Sequence, residues 1–312
     1  MTDPHEPEPP RPFAFLGDIL TALRPNQWTK NGVVLAAFFF AFFDRSRAHP
    51  LPLADLMRVI PAVFLFCLIS SGIYLLNDIF DRDADRQHPV KKFRPIAAGR
   101  ISVPQAWMLS LLLLGAGLGG SFLLSVRFAW IGVGYAAMHV LYSVWLKQIP
   151  IVDTLMIAAG FVLRAVAGAR VLPDVAISGW LLACTFLLAL FLALCKRRHE
   201  KALIRDTASA QRPSLKNYSE RLLNILIGIT GIATVGAYAA YTLWPGTIEK
   251  FGTGNLGYTL PFVAFGIVRY LSLVYRHGKG EQPERILLTD IPLLVNLVLY
   301  GLSVILILRH GW

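Results

Sequence analysis

The run Asn77-Asp78-Ile79-Phe80-Asp81-Arg82-Asp83-Ala84-Asp85 brings four carboxylates to the end of an apolar stretch that begins near Leu53. Carboxylates are costly at a membrane boundary, so a cluster there points to function. Adding about 100° per residue from Asn77 puts Asp81 at about 40°, Asp85 at about 80° and Asp78 at about 100°, but Asp83 at about 240°. Three carboxylates and an amide oxygen therefore share one helical face, and Asp83 does not. An all-oxygen set suits a hard cation, and Mg2+ takes one or two carboxylates while keeping waters and substrate phosphates. The spacing reads as a metal–diphosphate site in which Asn77, Asp78, Asp81 and Asp85 are the ligands.

The cations that follow extend this chemistry. Lys91, Lys92 and Arg94 lie in the connection after the cluster, and Lys196 and Arg197 open a second basic stretch in which Glu200 is the carboxylate. Beside the aspartates they read as a clamp for an anionic substrate; by themselves they read equally as anchors for anionic headgroups. Lys30 is either an interfacial anchor or a phosphate contact. Tyr142 and Lys147 lie where membrane helices commonly end in Tyr and Lys, and also where a site could use them. Arg164 lies on the order of 20 Å along a helix that begins at Pro150. A charge at that depth needs a partner: Asp153 or a helix-end carbonyl on one reading, a substrate phosphate or a cavity carboxylate on the favoured one. Arg164 and Asp153 share a face three turns apart and are expected to border one cavity without direct pairing.

The elements that must position these groups are membrane helices. The chain is 55% hydrophobic and 16% charged, with mean hydropathy +0.55, which excludes an ordinary soluble domain. Apolar runs of spanning length give about nine transmembrane segments in an all-α polytopic protein: Gly32 to Phe43 with the amphipathic stretch before it, Leu53 to Ile79, Val103 to Leu124, Phe128 to Leu146, Ile151 to Val171, Ile177 to Leu194, Leu222 to Trp244, Leu256 to Tyr275 and Ile291 to Leu308. Most of the 30 Lys and Arg fall on the side that carries the Asp cluster, so that side is expected in the cytoplasm of a bacterial inner membrane. The net charge of +11 thus answers to topology, and no nucleic-acid partner is expected. Residues 1–12 read as a disordered tail and 13–312 as one transmembrane domain. Cys67, Cys184 and Cys195 have no CxxC spacing and read as packing residues. A homo-oligomer is left open.

Asn77-Asp78-x-x-Asp81-x-x-x-Asp85 followed by Arg94-Pro95-x-x-x-Gly99 resembles the first signature of the intramembrane prenyltransferase superfamily typified by 4-hydroxybenzoate polyprenyltransferase. The resemblance implies nine helices around a central cavity and Mg2+ bridging Asp side chains to a diphosphate. Tyr142 to Lys147 is similar to the family's Tyr-x-x-x-Lys element with one residue added. Where classical members carry a second Asp-x-x-x-Asp motif, this chain has Cys195-Lys196-Arg197-Arg198-His199-Glu200-Lys201. That departure, with Arg24-Pro25-x-Gln27-Trp28-x-Lys30-Asn31, the run Asp85 to Gly99, Tyr142 to Asp153, and Gly160-Phe161-x-Leu163-Arg164-Ala165, resembles the decaprenyl-phosphate phosphoribosyltransferases. The resemblance implies phosphoribosyl pyrophosphate (PRPP) as donor and a polyprenyl phosphate as acceptor.

The acceptor chemistry agrees with what the chain lacks. A phosphate monoester has a second pKa near ~6 and can attack an anomeric carbon without a general base; His88, His139 and His199 show no His–carboxylate spacing. The expectation is a Mg2+-dependent enzyme moving 5-phosphoribose to a polyprenyl phosphate with release of pyrophosphate, for envelope arabinan precursors. Asp78, Asp81 and Asp85 are its catalytic carboxylates, and Lys30, Asn77, Lys91, Lys92, Arg94, Tyr142, Lys147, Arg164, Lys196, Arg197 and Glu200 its substrate contacts. The rivals are a prenyl-diphosphate-dependent transferase and a lipid or anion transporter.

Overall fold

The computed structural model describes residues 14–206, 218–276, 286–287 and 289–310. The expected tail, 1–12, lies outside the described residues, as do parts of two basic connections. Among the described residues there are helices and turns and no strand. The α-helices are α1 (Ala14–Leu23), α2 (Val34–Phe42), α3 (Leu56–Phe80), α4 (Arg82–Arg86), α5 (Val103–Leu124), α6 (Val126–Val144), α7 (Val152–Arg170), α8 (Gly179–Asp206), α9 (Glu220–Leu243), α10 (Pro245–Phe251), α11 (Leu260–Arg276) and α12 (Ile291–His310).

Seven helices among the described residues are long and apolar enough to cross a membrane, fewer than the nine expected. Two segments account for the difference. The first apolar stretch is broken into α1, a 3-10 helix over Pro25–Val33 and the nine-residue α2. Pro25 has no N–H to give and pushes the residue before it out of the α region, and Arg24 takes φ 54°, ψ 59°. The second is α6, which is long enough, but Arg127 and His139 make it too polar to join the seven.

Close helix contacts hold the site's scaffold. Apolar burial gives little drive between helices in lipid, so small residues that let backbones approach matter more. α3 and α5 meet at Gly72 and Gly117: a Cβ on Gly117 would lie 2.7 Å from an Ile69 side-chain carbon and 3.2 Å from the Leu65 carbonyl oxygen. α7 is pressed against the start of α2 at Gly168, where a Cβ would fall 2.0 Å from the Val34 carbonyl oxygen. Phe66 of α3 and Phe128 and Tyr135 of α6 fill the core between these helices. A second core, with Phe191, Leu223 and Tyr270, joins α8, α9 and α11.

The connection between α4 and α5 is pinned over the end of α3. Ile96 and Ile101 sink into a small core with Ala22, Leu75 and Ala106. Arg86 donates to the Ala97 carbonyl at 3.0 Å, and Arg100 donates to Asp18 at 2.7 Å and to the Phe93 carbonyl at 2.8 Å. Gly99 takes φ 78°, a conformation that glycine adopts freely. Ser102 then starts α5 with a capping box completed by Gln105.

Candidate active site

α3 delivers Asn77 and Asp78 in its last turn, Asp81 occupies the break, and α4 delivers Asp85. The i to i+4 backbone bonds run on through the break, with Asp81 N on Asn77 O at 2.9 Å and Asp85 N on Asp81 O at 2.7 Å. That continuity lets one face carry through both helices. Asp78 and Asp85 are buried, Asp81 is half-buried, and the Asp83 side chain is 89% exposed against a loose 3.9 Å pair with Arg86. The structure therefore groups Asn77, Asp78, Asp81 and Asp85 and turns Asp83 to solvent.

Each grouped carboxylate meets a cation. Asp78 pairs with Arg24 and, at 3.1 Å, with Arg94; Asp85 pairs with Arg94 at 2.6 Å; Asp81 pairs with Lys147 and accepts from Asn77 Nδ2 at 3.0 Å. Burial pushes the Asp85 carboxyl above the usual carboxylate range, against the pull of Arg94 and with Asp78 adding to the rise. Arg24 is the residue the sequence expectation left out of the site. Its signal is its place in the block Arg24-Pro25-x-Gln27-Trp28 that carries the resemblance, and what recruits it is a partner 54 residues away.

No three His, Cys, Asp or Glu side chains converge as a ready-made metal cage among the described residues. A hard cation nevertheless fits the donors present. All are oxygens, Mg2+ needs only one or two carboxylates from the protein, and the buried Asn77 Oδ1 has no hydrogen-bond partner. A buried amide oxygen left unpaired is a cost that a ligand would remove.

The other expected contacts divide. Lys147 stands on a short 3-10 turn, Leu146–Gln148, and reaches into the aspartate group. Lys91 and Lys92 lie on the neighbouring turn Lys91–Phe93, Lys92 exposed above the Phe93 ring. Lys30 bonds to Gln27 on the Pro25–Val33 segment. Tyr142 is half-buried near the end of α6, within 6.4 Å of the His139 ring. Lys196 is half-buried in the C-terminal half of α8.

The remaining expected residues are held by protein partners. Arg197 is 1% exposed and pairs with Asp153 at 2.7 Å and with Glu200, one turn on. The Arg197–Asp153 pair joins α7 to α8, and Glu200 braces Arg197 from within α8. Asp153 is fully buried against Arg197 and Tyr218, and Arg164 has other partners. Arg164 finds no anion among the described residues. It donates to Asn31 Oδ1 at 2.8 Å and to the Tyr135 hydroxyl at 2.6 Å, and stacks over the Tyr135 and Phe161 rings at 4.9 and 5.1 Å. Asn31 is held in turn by Ser70 at 3.1 Å. Neutral acceptors and ring faces together solvate the guanidinium.

The profile of the UbiA prenyltransferase family matches residues 32–290. A decaprenyl-phosphate phosphoribosyltransferase of Corynebacterium glutamicum is 34% identical over 295 residues, covering 93% of this chain and 86% of that one. Its counterpart in Mycolicibacterium smegmatis is 35% identical over 297 residues, covering 93% and 92%. Among solved structures, a UbiA homologue from Archaeoglobus fulgidus bound to GPP and Mg2+ matches with a TM-score of 0.70 at 21% identity, covering 92% of this chain and 99% of that one. At that identity the likeness is one of fold.

Proposed function

Because the chain belongs to the UbiA prenyltransferase family, we propose that it is a membrane transferase that moves 5-phosphoribose from PRPP to a polyprenyl phosphate and releases pyrophosphate. The carrying observation is the pole in which Asn77, Asp78, Asp81 and Asp85 meet Arg24, Arg94 and Lys147. The names of the relatives, decaprenyl-phosphate phosphoribosyltransferases at 34% and 35% identity, support the choice of donor and acceptor.

Three carboxylates and three cations neutralise one another in this pole. A donor diphosphate with its metal can exchange these pairs without leaving a charge unmatched. The aspartates and the Asn77 oxygen would hold Mg2+, and Arg24, Arg94 and Lys147 would then be free for phosphate oxygens, Arg by its fork and Lys as a point charge. Bound Mg2+ supplies neutralisation of the pyrophosphate leaving group. Lys91 and Lys92 stand beside the pole for the remaining phosphate charge.

The nucleophile brings its own basicity. A polyprenyl phosphate is mostly dianionic at neutral pH, given a second pKa near ~6. One of its oxygens forms the new bond to C1 of the ribose, and the C1–O bond to pyrophosphate breaks with its electron pair leaving on pyrophosphate. No proton has to move. The His88 ring accepts from the backbone N–H of Val90 and Lys91, which removes it as a base. The chain's part is to orient the two anions and screen their repulsion. The basic bias of the aspartate side supports a site open to the cytoplasm of an inner membrane, and the product would feed envelope arabinan synthesis.

Protein purified in detergent, given decaprenyl phosphate, Mg2+ and PRPP labelled in the ribose, should yield a labelled lipid. A labelled product formed only from a prenyl diphosphate would overturn the assignment in favour of a prenyl transfer.

A further inference from the structure

Ile151, just before α7, has φ 69° and ψ −49°, a region that a β-branched residue rarely enters. The Val152 N–H bonds to the Pro150 carbonyl at 2.8 Å across it, which makes a strained three-residue turn. Packing does not impose this shape, since the Ile151 side chain is 41% exposed. What grips the turn is Tyr218. Its hydroxyl accepts from Ile151 N–H and donates to Asp153 Oδ1 at 2.7 Å, using one lone pair and its one hydrogen. Burial and the Asp153 carboxylate push the Tyr218 hydroxyl's pKa upward, so it keeps that hydrogen at any physiological pH.

Tyr218 is itself anchored on both sides. Its ring is 1% exposed, its carbonyl accepts from Lys201, and Asp153 passes the connection to Arg197 and Glu200 of α8. On the other side only Gln148, Ile149 and Pro150 separate the turn from Lys147, which pairs with Asp81. A shift of Ile151 toward ordinary φ would swing the Leu146–Gln148 turn and carry Lys147 off the aspartate.

We infer that Tyr218 is a positioning residue: through the strained turn at Ile151 it aims Lys147 at Asp81, and so couples the basic end of α8 to the diphosphate pole. The inference rests on the reading of Lys147 and Asp81 as part of that pole.

The test reads Lys147 directly. Whole protein in detergent is treated with an amine-acylating reagent and the modification of each lysine is followed by mass spectrometry, with Lys250 as a reference on the opposite side, 3.4 Å from Asp44. Tyr218→Phe keeps the buried ring and removes the hydroxyl. Lys147 should then label several-fold faster, as in Asp81→Asn, while Lys250 is unchanged. Ile151→Gly added to Tyr218→Phe should restore slow labelling, because glycine takes positive φ without a tether. Unchanged labelling in Tyr218→Phe, a rise shared by Lys250, or failure of the glycine to rescue would each overturn the inference. The same variants are assayed for the KM of PRPP. A wild-type protein inactive on PRPP would defeat the functional reading and leave the labelling result to judge the tether.

Discussion

Lys147 Nζ lies 2.5 Å from Asp81 Oδ1, although 66 residues separate the two in the chain. One belongs to the turn before α7 and the other to the break between α3 and α4. The pair brings a cation from the turn before α7 to a pole that Arg24 reaches from before α3 and Arg94 from after α4.

Lys147→Met keeps most of the side-chain length and removes the charge. A hydrogen bond to a charged group contributes about 1.5–3 kcal/mol, so the KM for PRPP should rise by roughly one to two orders of magnitude. Steady-state kinetics on the purified protein checks this. An unchanged KM would mean that Lys147 only neutralises Asp81.

Asp81→Ala and Asp83→Ala should differ sharply. Asp81 faces Asn77 and Lys147, whereas the Asp83 side chain is 89% exposed. Turnover should fall by about two orders of magnitude or more in the first, on the scale of losing one charge-stabilising group, and stay near wild type in the second. Equal losses would contradict the facial grouping.

Arg197→Ala should damage the fold more than it damages donor selection. It leaves Asp153 buried without its cation, and breaking a buried pair from one side costs about 3–5 kcal/mol. Thermal unfolding in detergent should show a large fall in Tm. Asp153→Asn combined with Arg197→Met should recover part of it, because the stranded charge is gone. A normal Tm in Arg197→Ala with a raised KM for PRPP would instead return Arg197 to the substrate.

Chelation of divalent metal should abolish transfer and leave the helices intact. Asp78, Asp81 and Asp85 have Arg24, Arg94 and Lys147 as partners in the absence of metal, so no like-charge repulsion is released. Circular dichroism and Tm with and without EDTA should be closely similar, with activity restored by added Mg2+. A large drop in Tm on chelation would show that the metal is structural.

The all-helical membrane fold was legible because apolar runs of spanning length survive any detail of packing. The grouping of Asp78, Asp81 and Asp85 was legible because i, i+4 geometry is local and the backbone bonds run through the break at Asp81. Long-range pairing was not. Arg197 carries the same charge in either role, and only the fold brings Asp153 to it, 2.7 Å away. The protein groups that meet Arg164, the amide of Asn31, the hydroxyl of Tyr135 and two ring faces, come from elements that no local spacing links to it. The expected count of about nine spans is not confirmed among the described residues, because one proline and one strained arginine interrupt the first stretch and Arg127 and His139 enter α6.

The matched charges of the aspartate pole also bear on the order of arrival. With three carboxylates already facing three cations, the resting pole presents little net negative potential to draw in a bare divalent ion. For a bare diphosphate, Arg24, Arg94 and Lys147 are equally engaged. A metal already joined to its diphosphate satisfies both halves at once, so metal and donor should enter as one complex and the rate should follow the concentration of that complex, with the lipid acceptor waiting in the membrane.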